Sequence, residues 1–328
     1  MSVPTSWPGR LRKQFHLHAV DLLLAIPALP GALALRKIRR MGIERLPLCR
    51  RILFAVGVLP IRRHYYEPLF DPRDLAGPLD RPRALPGIEW DVQGQLALLA
   101  GFADQPQLAA LPREKPPGQA DYYFGNGNFE AGDAEIWYHM IRHFRPRRII
   151  EIGSGFSTLL ARRALAANRA ADADYACRHI CIEPYEMPWL EQASVEVVRN
   201  PVERVDPALF DALAAGDMLF IDSSHVIRPG GDVLFEFLEI LPRLRPGVIV
   251  HVHDIFSPRD YPKDWVLTEV RLWNEQYLLE ALLMGNRAWR VLAALNLLFH
   301  DHYAALREKC PALTRASRPV SLYLRKLA

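Results

Sequence analysis

Short continuous apolar runs recur along the chain after residue 147, and stretches with helical periodicity separate them. The run Met218–Asp222 is apolar up to its final acidic residue, which is typical of a strand buried on both faces of a sheet. Strands that alternate with helices indicate a parallel sheet with crossover helices. The pattern predicts strands at Arg148–Ile152, His179–Glu183, Val195–Arg199, Met218–Asp222 and Val248–His253.

Helical patterns fill the intervals between these runs, and helices are predicted at Gly132–Phe144, Ser157–Asn168, Val233–Leu244 and Asp264–Met284. Ser157 is expected to cap the N-terminus of its helix. Arg290–Ala293 and Ser321–Arg325 are interpreted as strands, although short apolar runs do not separate strand from helix. Together these elements predict an α/β fold, a Rossmann-like and mostly parallel sheet with helices on both faces.

Prolines and basic residues set the first part of the chain apart from the rest. Residues 1–66 are interpreted as a basic, apolar helical arm of short helices separated by prolines, for example Leu46–Val56. Residues 67–120 form a proline-rich connector with one predicted helix, Trp90–Phe102. Residues 121–328 are then the α/β domain.

Basic charge is concentrated near the N-terminus. Residues 1–65 hold twelve Lys or Arg residues against Asp21 and Glu44, which leaves +10, whereas the whole chain carries only +4. Such an asymmetry indicates contact with an anionic partner. Alternatively, these charges only solvate helix faces or pair with the acidic remainder of the chain.

An apolar stretch lies inside this arm. Ala19–Leu35 is apolar apart from Asp21, but Pro27 and Pro30 interrupt it and it falls short of the about 20 apolar residues of a spanning helix. No small-residue cleavage site follows, so a secretory signal is not expected. Apolar residues beside basic clusters can bind an anionic membrane surface, here through residues 10–63. Packing against the main domain or a partner is the alternative.

The cysteines favour a reducing compartment. Four cysteines in 328 residues do not make a disulfide framework. Cys177 and Cys181 lack the second Cys or His pair that a zinc site requires. A cytoplasmic location is therefore expected, with peripheral contact at the inner membrane face as an option for the arm.

A glycine-rich turn follows the first predicted strand. Glu151 precedes Gly153 and Gly155, and a helix begins directly afterwards. The glycines let backbone approach a ligand closely, and the first turn of the helix points its N–H groups at it. A dinucleotide fingerprint would place a third glycine where Thr158 stands. Glu183 ends the next strand, where a carboxylate can accept hydrogen bonds from ribose hydroxyls.

Further polar side chains lie where later strands end. Asp222 ends one strand and His225 follows three residues on, and His253-Asp254 ends another. Ligands of open α/β sheets bind beyond the carboxyl ends of the strands, so these groups are expected to share one rim with Glu151 and Glu183. His251 shares a strand face with His253 and is expected to be a structural, hydrogen-bonded histidine.

These motifs resemble those of the bacterial class I S-adenosylmethionine (SAM) methyltransferases, in the group of sugar and macrolide O-methyltransferases and cephalosporin-hydroxylase-like proteins. The resemblance covers about the last 200 residues and rests on four segments, Glu151–Thr158, Ile182–Pro184, Ile221–His225 and His253–Ile255. It implies SAM as the cofactor. The implied cofactor-binding residues are Glu151, Gly153, Ser154, Gly155, Phe156, Ser157, Glu183 and Asp222.

For the transfer site the resemblance implies Asp222 and His225. His253 and Asp254 are further catalytic candidates because they lie at the same rim, and His225 or His253 is expected to act as the general base. Asp222 is expected to bind the amino group of SAM. Metal-dependent relatives of the catechol type have Asp-Asn where this chain has Asp254-Ile255, so a three-ligand magnesium site of that design is not expected. Any divalent cation would be held by Asp222 and Asp254.

The leading functional prediction is an enzyme that methylates an oxygen of a small-molecule, glycan or lipid-linked acceptor. One alternative is a metal-dependent hydroxylase or hydrolase on the same scaffold, which would use His251, His253 and Asp254. Another is a non-catalytic SAM-fold binding protein. Nucleic acid is not expected as a partner, because the basic residues cluster outside the domain. The sequence does not determine the oligomeric state.

Three aromatic segments are candidates for acceptor contact. Tyr122–Phe129 has glycines and amides between aromatic residues, which suits either a mobile lid or a structural turn with buried rings. Phe256–Pro262 follows the last rim strand directly. Trp273–Tyr277 is interpreted first as core, on a long helix.

Overall fold

The computed structural model describes residues 9–61, 66–75, 77–117, 120–185 and 187–328, with side chains described from residue 17 onward. Contacts divide the chain into two compact units, Met1–Ala76 and Gly77–Ala328. The division into a basic arm, a connector and a domain at residues 66 and 120 stays a prediction.

One long helix dominates the described part of the first unit. Helix α1 covers Gly9–Met41, with Pro27 and Pro30 inside it, and helix α2 covers Pro47–Val56. The prediction of short helices separated by prolines is therefore wrong for α1. Each proline removes one backbone hydrogen bond, and the rest of the 33-residue helix keeps its ladder across both positions. Gly57, with a φ of 78°, ends α2.

Within α1, Leu17–Met41 is 25 residues long and contains an 18-residue window with a mean hydropathy of 1.7, so by length and composition alone it could cross a membrane. Side chains along it, such as Leu22 and Ile26, are more than 70% exposed.

The second unit begins with two helices, α3 (Val92–Ala100) and α4 (Gln105–Ala109). Its strands are β1 (Arg148–Ile152), β2 (Arg178–Ile182), β3 (Glu196–Val198), β4 (Met218–Ile221), β5 (Ile249–Val252), β6 (Trp289–Ala294) and β7 (Leu322–Lys326). Its other helices are α5 (Asp133–Phe144), α6 (Phe156–Ala171), α7 (Ala208–Asp211), α8 (Asp232–Phe235), α9 (Leu241–Arg243), α10 (Glu275–Leu283), α11 (Leu295–Asp301) and α12 (Tyr303–Lys309). A π-helical turn, Glu236–Ile240, joins α8 to α9.

The strands form one seven-stranded sheet in the order β3-β2-β1-β4-β5-β7-β6. β1 to β5 run parallel, and β7 is antiparallel to both of its neighbours. β4 and β5 are buried along their whole length, as the apolar runs predict. The predicted α/β fold with a mostly parallel sheet is confirmed. The strand order reverses between β1 and β4, and a crevice opens at such a switch point.

One helix prediction in the second unit is wrong, and the helices α11 and α12 were not predicted. The predicted helix Asp264–Met284 is interrupted: a π-helical turn covers Asp264–Thr268, and α10 begins only at Glu275. Val270 adopts a positive φ of 56°, which does not fit a continuous right-handed helix. α11 and α12 fill the stretch between the last two strands and were missed, because their short apolar runs carry no clear period.

Candidate functional site

A cleft of about 640 Å³ opens at the switch point of the sheet. Among the residues that line it are groups from the carboxyl ends of four strands: Gly153 after β1, Glu183 after β2, Asp222 after β4, and His253 with Asp254 after β5. The structure therefore brings together on one rim most of the polar groups that the sequence places at strand ends. Ser154, Gly155, Phe156 and Ser157 also line the cleft.

The turn after β1 is held tightly against the neighbouring strands. Gly153 has a φ of 76°, and a Cβ atom built there would lie 1.9 Å from the carbonyl oxygen of Asp222. Only glycine fits this close approach. The N–H of Gly155, the residue that caps α6, donates to Oγ1 of Thr158 at 3.1 Å. The expected cap role of Ser157 is therefore wrong: Ser157 lies in the first turn and its hydroxyl donates to Glu151 at 3.3 Å.

Glu151 lies behind this turn rather than on the cleft wall. It is fully buried, and its carboxylate accepts hydrogen bonds from Thr158 Oγ1 at 2.5 Å and from His179 Nε2 at 2.9 Å. Burial alone would lower the pKa of His179, but the charge of Glu151 outweighs it and raises that pKa to about 10. Glu151 thus holds the first turn of α6 through hydrogen bonds from Ser157 and Thr158, and it holds β2 through a buried ion pair with His179.

Glu183 faces the cleft from the end of β2. Its Oε2 accepts from the backbone N–H of Ser154 at 3.3 Å, and its Oε1 accepts from that of Tyr185 at 3.0 Å. These contacts fix the carboxylate beside the glycine turn, and Met187 lines the cleft next to it. A carboxylate held in this place can receive hydrogen bonds from a ligand's hydroxyl groups.

His225 lies among three carboxylates. Its Nδ1 is 2.8 Å from Glu275, and its Nε2 is 3.3 Å from Asp222 and 3.5 Å from Asp254. Burial would lower the pKa of His225, but the hydrogen bonds to Asp222 and Glu275 raise it well above its usual value. His225 and Asp254 both adopt a positive φ, 60° and 57°. Uncommon backbone conformations of this kind cluster at functional sites.

The two aspartates that flank His225 differ in their electrostatics. Burial would raise the pKa of Asp222, but His253 and His225 keep it below its usual value. Burial raises the pKa of Asp254, which His253 and His225 only partly oppose. The site thus has one carboxylate that stays ionised and a second that binds a proton more readily.

His251 lies within β5 and His253 directly follows it, and the two side chains have different surroundings. His253 lines the cleft, with Nδ1 3.3 Å from Ser321 Oγ. Burial would lower the pKa of His253, but the charges of Asp254, Asp222 and Asp133 raise it. His251 is buried between aromatic rings, neither ring nitrogen has a hydrogen-bond partner among the described residues, and burial lowers its pKa well below the usual value. His251 is structural as predicted, but the prediction that it is hydrogen-bonded is wrong.

One group of side chains at the cleft could hold a metal ion: Asp222 and Asp254 line the cleft, and the buried His225 lies against both. Ligand atoms of Asp222, His225 and Asp254 all lie within 4.8 Å of one another. Glu275 binds the other ring nitrogen of His225, which is the carboxylate–histidine arrangement that orients metal ligands. Two carboxylates and an imidazole fit a divalent cation. His225 thus supplies a third ligand beside the two aspartates that the sequence predicts as cation ligands. His251 is not part of this group.

Residues beyond Asp254 form an aromatic and basic wall that the sequence reading missed. Trp265 and Trp273 line the cleft, and the guanidinium of Arg271 lies 4.1 Å from the ring centre of Trp265 and 4.6 Å from that of Trp273. Trp273 is therefore on the cleft wall rather than in the core of a long helix. The alternation of aromatic and basic residues in this stretch is the signal that could have revealed the wall.

The segment Tyr122–Phe129 is a hydrogen-bonded turn with buried rings. The hydroxyl of Tyr122 donates to the carbonyl of Phe129 at 3.0 Å, and the carboxylate of Glu130 accepts from the N–H groups of Gly125 and Gly127. Gly127 and Phe129 also line the cleft. The turn therefore forms part of the cleft, while movement as a lid stays a prediction.

Residues 150–255 match the family model of a methyltransferase domain. The matched segment begins within β1 and ends just beyond β5, so it contains the glycine turn and every strand end of the cleft. The predicted resemblance to class I methyltransferases is confirmed for this segment.

A curated protein from Archaeoglobus fulgidus, described only as uncharacterized, is 38% identical over 97 residues, which cover 28% of this chain and 42% of that protein. The match thus spans less than half the length of that relative.

The chain is also similar to solved structures. For a TDP-rhamnose 3'-O-methyltransferase of calicheamicin biosynthesis, the identity is 16%, the coverage is 58% of this chain and 76% of that one, and the TM-score is 0.36. For an O-methyltransferase from Bacillus cereus in complex with S-adenosylhomocysteine (SAH), the identity is 13%, the coverage is 72% and 91%, and the TM-score is 0.36.

Proposed function

We propose that residues 77–328, which carry the methyltransferase domain, transfer a methyl group from SAM to an oxygen of a small-molecule, glycan or lipid-linked acceptor. One observation carries the proposal: Gly153, Glu183 and Asp222, from three different strand ends, converge on one cleft of about 640 Å³. That volume is in the range of sites for small molecules and cofactors. The cleft lies at the switch point, where open α/β sheets bind their ligands.

The cofactor would lie across the turn after β1. The carboxylate of Glu183 accepts hydrogen bonds from the ribose hydroxyls, and the ionised Asp222 binds the amino group of the methionine part. Backbone of Gly153–Ser157 approaches the ligand closely because Gly153 has no side chain. Glu151 is a positioning residue in this account, since it is buried behind the turn and holds the first turn of α6.

The transfer forms an oxygen–methyl bond and breaks the sulfur–methyl bond of SAM, which leaves SAH. The acceptor hydroxyl loses its proton in the process, and Asp254 is placed to accept it because its carboxylate reaches the cleft beside Asp222. His225 and His253 are assigned the role of cations that hold the two carboxylates in place. Holding acceptor and methyl group in line supplies most of the remaining rate enhancement.

A divalent cation, if bound, would replace the proton on Nε2 of His225 and would be held by Asp222, His225 and Asp254, where it would orient the acceptor hydroxyl and favour its deprotonation. The same cluster supports a second candidate function, a metal-dependent hydroxylase or hydrolase. That alternative leaves the glycine turn and the placement of Glu183 without a role. Tight binding of a metal ion by a protein that does not bind SAM would favour it.

The acceptor would pack against the wall formed by Trp265, Arg271 and Trp273. Aromatic faces suit the apolar side of a sugar or another ring, and the guanidinium suits a polar or anionic substituent. Nucleic acid is not proposed as a partner. A cytoplasmic location is proposed because the four cysteines are free and the chemistry requires a cytoplasmic cofactor.

The test is calorimetric titration of the full chain with SAM and SAH, with and without Mg²⁺. The key variant is Glu183→Ala. The matched control is Glu196→Ala, which removes an exposed glutamate on β3 that pairs with Arg178 outside the cleft. Because a hydrogen bond to a charged group contributes about 1.5–3 kcal/mol, Glu183→Ala should weaken SAM binding roughly 10- to 150-fold. Glu196→Ala should leave the affinity within about twofold.

Absence of SAM binding by the folded protein, with and without Mg²⁺, would contradict the proposal. Equal affinities of Glu183→Ala and Glu196→Ala would remove the assigned ribose contact. The ribose contact would then have to be reassigned to another residue.

A further inference from the structure

We propose that α1 spans a lipid bilayer, with its C-terminal end at the anionic cytoplasmic face, and anchors the chain there. The inference goes beyond peripheral contact and does not rest on the methyltransferase activity. It starts from the segment Leu17–Met41, whose most apolar 18-residue window has a mean hydropathy of 1.7 and no buried residue.

The apolar side chains of α1 surround the helix instead of forming one stripe. Consecutive residues Leu22, Leu23 and Leu24 are 72%, 68% and 62% exposed, and they point in directions about 100° apart. Ile26, Leu29 and Leu33 continue this exposed apolar surface. A helix that lies in the plane of a membrane has an apolar face and a strongly polar face. A helix that is apolar on all sides is buried in a protein or spans a membrane.

The length of the segment fits a bilayer. Residues 17–35, in which Asp21 is the only acidic or basic residue apart from His18, extend about 28 Å at about 1.5 Å per residue, close to a hydrocarbon thickness of about 30 Å. Asp21 and Arg36 bound the uncharged part and lie at equal distances from its middle, about 11 Å on each side. Both positions lie about 4 Å inside a hydrocarbon half-thickness of about 15 Å. The long side chain of Arg36 can extend to the headgroups from there, and Asp21 lies within one helical turn of the opposite interface.

The two prolines support the same reading. Pro27 and Pro30 lie in the middle of the segment, and a proline in a water-exposed helix interior costs about 3 kcal/mol. Helices that span membranes contain Pro and Gly more often than soluble helices do. In a bilayer the helix is the required backbone conformation, because no water is present to bind freed N–H and C=O groups.

The distribution of Lys and Arg residues on the two sides of the apolar segment indicates the orientation of α1 in the membrane. Three Lys or Arg residues precede the apolar segment (Arg10, Arg12, Lys13), and seven follow it within 16 residues (Arg36, Lys37, Arg39, Arg40, Arg45, Arg50, Arg51). The more basic flank of a spanning helix stays in the cytoplasm. Residues 77–328 follow that flank, so they would lie on the cytoplasmic side.

Helix α2 has the features of a helix that lies on the surface of the membrane that α1 is proposed to span. Leu48, Ile52 and Val56 are exposed along one side of it, while Arg50 and Arg51 point to another. A basic amphipathic helix binds the interface of an anionic membrane. Arg36, Arg39 and Arg40 line a cleft of about 670 Å³ at the basic end of α1. Arg39 is paired with Glu67 at 2.8 Å, so Arg36 and Arg40 are the side chains that would offer donors to lipid phosphates. A second copy of the chain fits less well, because it would bring two such basic regions together.

The experiment expresses the full chain in bacteria, isolates the membrane fraction, and extracts it with 1 M NaCl and then with alkaline carbonate. Extracted protein in detergent is reconstituted into vesicles of zwitterionic and anionic phosphatidyl lipids at 3:1 and floated on a density gradient. The test variant is Ile26→Arg, near the middle of the segment. The matched control is Leu238→Arg, which replaces a similarly exposed apolar side chain, 62% against 73%, in the second unit.

The wild type and Leu238→Arg should stay in the membrane through both washes and float with the vesicles. An arginine at the centre of a spanning helix costs about 2.5–3.5 kcal/mol, so Ile26→Arg should shift the membrane-to-soluble ratio by roughly 70- to 400-fold. Both variants should keep the same thermal unfolding of the second unit, which separates loss of anchoring from loss of folding.

Four outcomes would overturn the proposal. Release of the wild type by salt or by carbonate would show peripheral binding only. A soluble wild type that forms discrete oligomers in light scattering would show that copies of the chain cover α1. A mature N-terminus after residue 35 in mass spectrometry would show that the segment is a cleaved leader. Equal retention of Ile26→Arg and Leu238→Arg would show that α1 is not inserted.

Discussion

The buried pair of Glu151 and His179 makes a prediction that links stability, pH and the cofactor turn. In Glu151→Gln the carboxamide keeps the shape of the side chain but not its charge. Both groups of the pair are buried, and they lie 2.9 Å apart. Removing one partner of a buried ion pair costs about 3–5 kcal/mol, because the other charge is left without compensation. We expect a loss of this size at pH 7, measured by urea unfolding.

The dependence on pH gives the sharper test. The pKa of His179 is about 10 in the folded protein, which is above the usual histidine value of about 6.5 in the unfolded chain. A raised pKa stabilises the folded state fully below about pH 6.5, and the contribution is lost as the pH rises toward 10. In that window the folded state binds the extra proton, so the free energy of unfolding falls by about 1.4 kcal/mol per pH unit.

Between pH 7 and pH 9 the pair should therefore contribute a loss of about 3 kcal/mol in the wild type. Other groups titrate in the same range, so the quantity to compare is the difference in slope between the wild type and Glu151→Gln. His179→Gln is the matched control, and it should show the same reduced slope. The double variant should cost less than the sum of the two single variants. Identical slopes in the wild type and both variants would refute the charged pair.

Three further predictions follow from the cleft. Gly153→Ala should lower the melting temperature and weaken SAM binding at least tenfold, because its Cβ would lie 1.9 Å from a backbone oxygen. Gly285→Ala has a positive φ but open space around it, so it should cost only about 1 kcal/mol, and equal effects would contradict the steric reason. Asp254→Asn should lower transfer of a tritiated methyl group to a panel of hydroxyl acceptors by about 10²-fold or more, with SAM affinity within fewfold. Unchanged transfer would exclude Asp254 as the base. Arg271→Gln should loosen the wall and shift the fluorescence of Trp273, and an unchanged spectrum would contradict the stacking.

The strands and the polar rim of the cleft could be predicted because each central strand is a continuous apolar run in the sequence and the polar residue at its end is visible there. The observed bounds of β1 are those of the apolar run, those of β4 differ by one residue at its end, and those of β2 and β5 differ by one residue at both ends. Polar residues at the ends of parallel strands must meet at one edge of the sheet. Glu183, Asp222 and Asp254 therefore reach one cleft although they are distant in the sequence.

Contacts between distant segments could not be predicted in this way. Glu275 lies 50 positions from His225, on a helix whose start depends on how the preceding loop folds. Glu151 carries the same acidic side chain as Glu183, but the neighbouring strand offers it His179 as a buried partner. Its place behind the turn is a property of the packed sheet and is invisible in the motif.

The continuity of α1 shows a different limit. Pro27 and Pro30 are local signals for helix ends, and local propensity alone predicts short pieces. Whether the helix continues depends on the surroundings of the segment, which a propensity does not include. Aromatic residues are ambiguous for the same reason. The sequence pattern predicts that Trp273 lies in the core, but it lines the cleft because residues 269–274 form a loop.

The most direct test of the central claim is a titration of the unmodified full chain with SAM, SAH and NAD⁺ in parallel. The turn after β1 lacks the third glycine of a dinucleotide site, and Glu183 and Asp222 are placed for the ribose and the amino group of SAM. The account predicts saturable binding of SAM and SAH at one site per chain and no binding of NAD⁺. Binding of NAD⁺, or no binding of any of the three by folded protein, would contradict it.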